Sequence, residues 1–236
     1  MNIVEYLFPP YCISCQKLTR NQHDFYKYIC PSCLKKININ RDNVCYLCNT
    51  PTLYGNTCEK CKKKTALSGL IVASNYSNPI LKETIHFFKY RYIKTLALAL
   101  SWILIAKLKN FSLLKNVNNW LLVPIPLSKK RLKHRGFNQA ELLATNLSKW
   151  LGIPISSVII KRTKFRTPQM QIQDQKQRKE NVKDCFKINQ QFNLASLKNK
   201  RIMLIDDVAT TGATLNECAK VLKPYVKEVW GCVVAK

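Results

Sequence analysis

In the stretch RIMLIDDVATTGATL, residues 201–215, an apolar run ends on two adjacent carboxylates, followed by a cluster of hydroxyl side chains around one glycine. Two carboxylates and three threonines are poor core material and good partners for an oxygen-rich ligand. If residues 201–205 form a strand and Thr214 opens a helix, residues 210–214 are the connecting turn. Gly212 permits a backbone conformation that other residues resist. The orphan N–H groups of the helix start would converge on one point, with the positive end of the helix dipole behind them. The hydroxyls of Thr210, Thr211 and Thr214 complete a phosphate cradle. Asp206 and Asp207, just before it, would repel a phosphate but accept hydrogen bonds from sugar hydroxyls. A sugar phosphate satisfies both halves. The common nucleotide motifs do not occur: there is no G-x-x-x-x-G-K-[ST] and no G-x-G-x-x-G.

A second chemistry is written in the cysteines. Eight of the eleven fall in residues 12–61 as CISC, CPSC, CYLC and CEKC. The C-x-x-C spacing lets two thiolates from one tight turn reach the same tetrahedral ion. Four pairs make two four-cysteine sites. The economical assignment is sequential: Cys12, Cys15, Cys30 and Cys33 on one Zn²⁺, and Cys45, Cys48, Cys58 and Cys61 on the other, with an interleaved arrangement also open. All four positions around each ion would be filled, which makes the zinc structural. Few apolar residues separate the pairs, so the segment is expected to fold on metal in place of a core. The basic cluster EKCKKKT around the last pair reads either as a phosphate contact or as a solvated linker.

These residues need elements to hold them. After Lys64 the chain alternates apolar segments and turns. GLIVASNY, NWLLVPIP, SSVIIKR, RIMLI and EVWGCVVAK read as strands. The run from Pro79 to Lys109 reads as one or two helices, NQAELLATNLSKWLG as another, and TLNECAKVLK as a last one stopped by Pro224. Strands alternating with helices, the strands nearly unbroken in apolar residues, predict an α/β parallel sheet covered on both faces. Ligands bind such sheets at the strands' carboxyl ends. Three polar stretches fall there: PIPLSKKRLKHRGFNQ, the span from Thr163 to Lys183, and DDVATTGAT. A small cysteine domain, 1–66, would precede the α/β domain, 67–236.

Charge sets the partners. Across 236 residues, 39 Lys and Arg face 13 Asp and Glu, a net +26, which self-repels strongly unless anions are near. From Lys129 to Lys183 there are fourteen Lys and Arg against three acids. Phosphate binding by such clusters is independent of sequence and strongly dependent on salt. Phe137 and Phe165 lie among these charges, as base-stacking candidates or as core. MNIVEYLFPPYC is unlike a secretory signal, and the longest apolar run, TLALALSWILIA, is shorter than the roughly 18 residues of a membrane span. A cytoplasmic setting with reduced, metal-binding cysteines is therefore expected.

MLIDDVATTGAT resembles the 5-phosphoribosyl 1-pyrophosphate (PRPP) motif of type I phosphoribosyltransferases. The resemblance implies that Asp206 and Asp207 hold the ribose 2- and 3-hydroxyls, and that Ala209, Thr210, Thr211, Gly212, Ala213 and Thr214 hold the 5-phosphate. The chain further resembles the ComF family of competence proteins over nearly its whole length. LFPPYCISC, VPIPLSKKRLKHRGFNQAELLA and KRTKFRTPQMQIQDQKQRKENV carry that likeness. It implies an N-terminal zinc-binding double zinc ribbon ahead of a type I phosphoribosyltransferase-like fold. Ser128, Lys129 and Arg131 would face pyrophosphate, Arg135, Asn138 and Gln139 would line the cleft, and Arg166, Gln169, Arg178 and Asn181 would lie on a loop closing over PRPP. Mg²⁺ would accompany PRPP in an active transferase, although no general base is evident and zinc-bound pairs stand where such enzymes carry an acceptor-binding hood.

The family likeness also points to natural transformation. Single-stranded DNA arriving from an inner-membrane channel would be received in the cytoplasm together with a helicase-like partner. Lys129, Lys130, Arg131, Lys133, Arg135, Arg162, Lys164 and Arg166 are the candidate nucleic-acid contacts. The competing expectation is a PRPP-dependent transferase of the nucleobase-salvage or amide-transferring kind.

Overall fold

The computed structural model describes residues 9–19, 23–109, 111, 114, 116–163 and 182–236. Two short helices accompany the cysteine pairs, α1 (Pro31–Lys35) and α2 (Glu59–Lys62). The body then runs β1 (Gly69–Ser74), α3 (Pro79–Tyr90), α4 (Leu96–Leu108), β2 (Trp120–Pro124), α5 (Lys129–Arg135) and α6 (Gln139–Leu151). It continues with β3 (Ile160–Arg162), β4 (Phe186–Ile188), β5 (Arg201–Val208), α7 (Ala213–Leu222) and β6 (Glu228–Ala235).

Strands β1, β6, β5 and β2 form, in that order, a sheet in which every neighbouring pair is parallel. Along β5, Met203 and Ile205 enter the core shared with α3, α4 and α6, while Ile202 and Leu204 enter the one under α7. A sheet covered on both faces needs apolar side chains at successive positions, hence the unbroken runs RIMLI and GCVVA. Helix α4 is apolar over most of its circumference because most of it is buried: Leu100, Ile103 and Leu104 are wholly so. Among the described residues no helix is long and apolar enough to cross a membrane.

The connections create the crevice. After β2 the chain reaches α6 on one face of the sheet; after β5 it turns to α7 on the other. The carboxyl ends of two adjacent strands whose helices part to opposite faces leave a gap that a ligand can enter. The register is tight here: Pro124 pairs with Ile205, and the Ile125 N–H donates to the Ile205 carbonyl at 3.0 Å.

Three expectations are corrected. SSVIIKR does not extend the parallel sheet: Ile160–Arg162 pairs antiparallel with Phe186–Ile188 in a separate ribbon. Ile159, Ile160, Cys185 and Phe186 bury that ribbon in the core under α7, which gives so short a pair its stability. The loop expected after VPIP contains helix α5, capped by the Ser128 hydroxyl, which accepts from the Arg131 N–H at 3.3 Å, and stopped by Gly136 at φ +68°. Of the two fates open to Phe137, the core is the one observed: it is buried against Phe88, ring centroids 5.6 Å apart. Finally, the cysteine segment has a core after all, shared with the body. Ile13, Ile29, Leu34 and Ile37 sit in the same apolar cluster as Leu81 and Leu104.

Candidate functional site

A cavity of ≈770 Å³ opens at the carboxyl ends of β2 and β5. Asp206, Asp207 and the turn from Ala209 to Thr214 form one wall, and α5 with the start of α6 forms the opposite one. Lys89 and Tyr90, at the end of α3, close a third side, and Arg162 of β3 the fourth.

The turn has the geometry of a cradle. Gly212 sits at φ +75° as the N-cap of α7, a conformation that costs an L-residue steric strain, and its carbonyl accepts the first helical bond from the Asn216 N–H at 2.9 Å. The Thr211 hydroxyl accepts from the Ala213 N–H at 3.3 Å. Together the turn N–H groups and threonine hydroxyls give α7 the electropositive end that anions seek.

The acids are not alone. Lys89 Nζ lies 2.8 Å from Asp207 Oδ1, with side-chain exposures of 17% and 7%. The Asp206 carboxylate accepts from the Asp207 N–H at 2.9 Å. Burial, and then the neighbouring Asp207 charge, push the Asp206 pKa up to about 7, against the opposing pull of Lys89 and Arg135. Asp207 is thus engaged by an ammonium, and burial beside that charge keeps Asp206 partly protonated near neutral pH.

The facing wall is cationic. Arg131 opens toward the solvent at the cavity mouth, yet the protein around it, and then the guanidiniums of Arg162 and Arg135, lower its pKa. Arginines this close without a matching set of carboxylates form a seat for a multiply charged anion. Gln139 is 2% exposed; its Oε1 accepts from Arg135 at 3.0 Å, while its buried Nε2 has no partner among the described residues. An orphaned buried amide donor on a cavity wall favours a ligand that accepts a hydrogen bond there. Asn138 spends its side chain on structure, accepting from the Ala140 N–H and donating to the Ile125 carbonyl.

The expected residues therefore separate. Lys130, Arg131, Arg135, Asn138, Gln139, Arg162, Asp206, Asp207 and residues 209–214 meet at the cavity, whereas Ser128 is used as a helix cap and Lys129 and Lys133 lie away from it. Lys164, Phe165, Arg166, Gln169, Arg178 and Asn181 lie outside the described residues. Sequence reasoning missed Lys89, Tyr90 and Tyr92. Tyr90 and Tyr92 are 47% and 48% exposed, and Tyr92 is held at φ +60°. Arg135 stacks 5.4 Å from the Tyr90 ring centroid, and His134 lies 6.4 Å from Tyr92. The signal was present as KYRYIK, two aromatics interleaved with basic residues.

The eight cysteines form two clusters in sequential pairing, Cys12, Cys15, Cys30 and Cys33, then Cys45, Cys48, Cys58 and Cys61, with all sulfurs of each within 4.8 Å of one another. A tetrahedral ion with bonds of about 2.3 Å separates its ligands by about 3.8 Å. The Cys15–Cys30 and Cys48–Cys58 sulfur separations are 3.7 and 3.5 Å, so both donor sets fit zinc.

Comparison with known proteins agrees with both halves. Residues 3–62 match the double zinc ribbon domain family, and residues 133–235 match the phosphoribosyl transferase domain family. The chain is 32% identical over 231 residues to Competence protein F of Haemophilus influenzae, spanning 93% of this chain and 95% of that one. It is 30% identical over 202 residues to Competence protein ComFC of Bacillus subtilis, 82% of this chain and 77% of that one. DNA utilization protein YhgH of Escherichia coli is 28% identical over 197 residues, 82% and 83% of the two chains.

Proposed function

The chain belongs to the ComF family of competence proteins, and from that premise we propose that it handles incoming single-stranded DNA in the cytoplasm during natural transformation, along the basic surface beside its phosphoribosyl-type cleft. The observation that carries this reading is α5. It bears Lys129, Lys130, Arg131, Lys133, His134 and Arg135 in seven residues, none of them buried, beside the exposed rings of Tyr90 and Tyr92. A basic track with exposed aromatics is the recurring answer to single strands, because every base has a face to stack and every nucleotide a phosphate. A helicase-like partner and an inner-membrane channel complete the proposal, as consumer and supplier of the strand. The two cysteine clusters serve as structural zinc sites.

Binding of a labelled single-stranded oligonucleotide followed by anisotropy across a salt series tests the reading. Affinity is expected to fall steeply with salt, and changing Lys129→Gln with Lys133→Gln should flatten the log–log slope by about 1.4, roughly 0.7 for each phosphate no longer neutralised. Absent or salt-insensitive binding would defeat it. In cells, transformation frequency in a strain carrying Asp206→Ala with Asp207→Ala, beside a deletion strain, reports whether the cleft takes part.

A second reading, a PRPP-dependent transferase, is favoured by the cavity itself: threonine turn, acid pair, arginine wall and orphaned Gln139 amide suit a phosphoribosyl pyrophosphate. With Asp207 engaged by Lys89, any Mg²⁺ would enter on the ligand's own phosphates. Pyrophosphate release from PRPP in an acceptor screen tests this reading, and no release with any base or amine would count against it.

A further inference from the structure

The second cysteine cluster is built onto the phosphate turn. Tyr46, the residue after Cys45, is 5% exposed, and its ring lies flush against the turn: a methyl group added at Gly212 would meet Tyr46 Cε2 at 2.8 Å. The Tyr46 hydroxyl lies 2.5 Å from Thr65 Oγ1. The Thr65 hydroxyl donates its one hydrogen to Asn216 Oδ1 at 2.7 Å, so the Tyr46 hydroxyl must be the donor to Thr65. Asn216 Oδ1 also accepts from the Ala66 N–H at 2.7 Å. Asn216 is the residue whose own N–H closes the first turn of α7 onto Gly212. At its other end Tyr46 is tied down by Lys236, whose ammonium donates to the Tyr46 carbonyl at 3.0 Å. A ring and a directed hydrogen-bond chain thus join the Cys45–Cys48 knuckle to the two residues that shape the cradle. Among the described residues the first cluster shows no such link to the turn. Cys12, Ile13, Ile29 and Cys33 pack instead into the core of α3 and α4.

We propose that Tyr46 is a positioning residue for the phosphate turn, and that the second four-cysteine cluster, unlike the first, controls how well the cleft holds a phosphoribosyl ligand. The proposal rests on the reading of residues 210–214 as a phosphate cradle. Gly212 is the residue with least intrinsic reason to stay at one φ, and the Tyr46 ring fills the space its turn would need to relax into. A cradle whose N–H groups are already aimed binds without an ordering cost; one that has lost its backing must be ordered by the ligand.

The test compares wild type, Tyr46→Phe, Tyr46→Leu and Asn216→Ala. Each is scored for zinc content, thermal midpoint, single-strand DNA affinity and calorimetric binding of ribose 5-phosphate and PRPP. Tyr46→Phe keeps the ring and is expected to stay close to wild type. Tyr46→Leu and Asn216→Ala are expected to keep two zinc ions and DNA affinity while losing roughly tenfold in affinity for both phosphoribosyl probes. Wild-type affinity for the probes in both variants would overturn the proposal. If wild type itself takes up neither probe, the cradle reading falls separately, and hydrogen exchange decides the positioning claim. Amides of residues 210–216 exchanging roughly tenfold faster in Tyr46→Leu than in Tyr46→Phe would sustain it, and equal rates would overturn it.

Discussion

The ion pair between Lys89 and Asp207 is where the electrostatics of the cleft can be probed most sharply. Changing Lys89→Met keeps an unbranched apolar stem of similar reach and removes only the ammonium. Asp207, 7% exposed, is then left beside Asp206 with its counter-charge gone. Removing one partner of a buried pair costs about 3–5 kcal/mol, and because this pair borders an open cavity the lower end, about 3 kcal/mol at pH 8, is expected. For a chain of this size that is a fall of about 6–12 °C in melting temperature. The pH dependence carries the sign. Asp206 already holds its proton to about pH 7, through burial and the Asp207 charge. Without Lys89 the Asp206 carboxyl loses an opposing pull and is pushed further up. An acid whose folded pKa is raised favours folding less and less as pH climbs from its unfolded value through its folded one, and wild type and variant part company only above the wild-type value of about 7, so the variant's deficit is larger at pH 8 than at pH 5. Urea unfolding at the two pH values measures it. A second variant adding Asp207→Asn should recover most of the loss, a coupling of about 2 kcal/mol in the double-mutant cycle. A deficit under about 1 kcal/mol at pH 8, or one that does not change with pH, would refute the charge assignment.

Three further outcomes follow from the same geometry. Tyr90→Ala with Tyr92→Ala should weaken single-strand DNA binding by about 1–3 kcal/mol for each base that loses its platform, with the salt slope unchanged. Asp206→Asn should stabilise the protein by about 2–4 kcal/mol at pH 8 and not at pH 4. The reason is that the folded pKa of about 7 lies above the ordinary 3.8, and the penalty it carries is complete only above pH 7, as denaturant titrations at the two pH values would record. Stripping zinc with a chelator should lower the melting temperature and raise binding of a hydrophobic dye, because Ile13, Ile29, Leu34 and Ile37 are held in the main core by the ribbon that carries the first cluster.

What the sequence disclosed follows from how local each signal is. DDVATTGAT was legible because the strand, the acids, the glycine and the helix start are consecutive, and the C-x-x-C pairs because ligand spacing is local too. Lys89 was not legible. In HFFKYRY nothing separates it from a solvated lysine until the sheet order sets the end of α3 over the end of β5. Helix α5 escaped because pattern reading looks for an apolar face, and this helix buries no residue; only Ser128 before it and Gly136 after it marked its ends. The ribbon partner Phe186–Ile188 is three residues long, too short for a period of two to register. The isoleucines between the cysteines were too few for a core of their own, and sequence spacing carries no sign that they complete another one.

Helix α5 also ties the two chemistries together. At about 100° per residue, Lys130, Arg131, His134 and Arg135 share one arc, and these are the α5 residues that line the cavity. Lys129 and Lys133 fall on the opposite arc, which faces out. One helix therefore offers an inner set of cations to a ligand and an outer set to a strand, separated by roughly the helix diameter of 10 Å, comparable to the distance over which physiological salt screens charge. An anionic ligand in the cleft would leave the outer lysines free but lower the potential they work in. Saturating PRPP should then reduce single-strand DNA affinity only a few-fold at low salt, with the difference vanishing as salt rises. Complete displacement of DNA by PRPP at every salt concentration would instead mean that the strand itself enters the cleft, and the division of labour across α5 would be wrong.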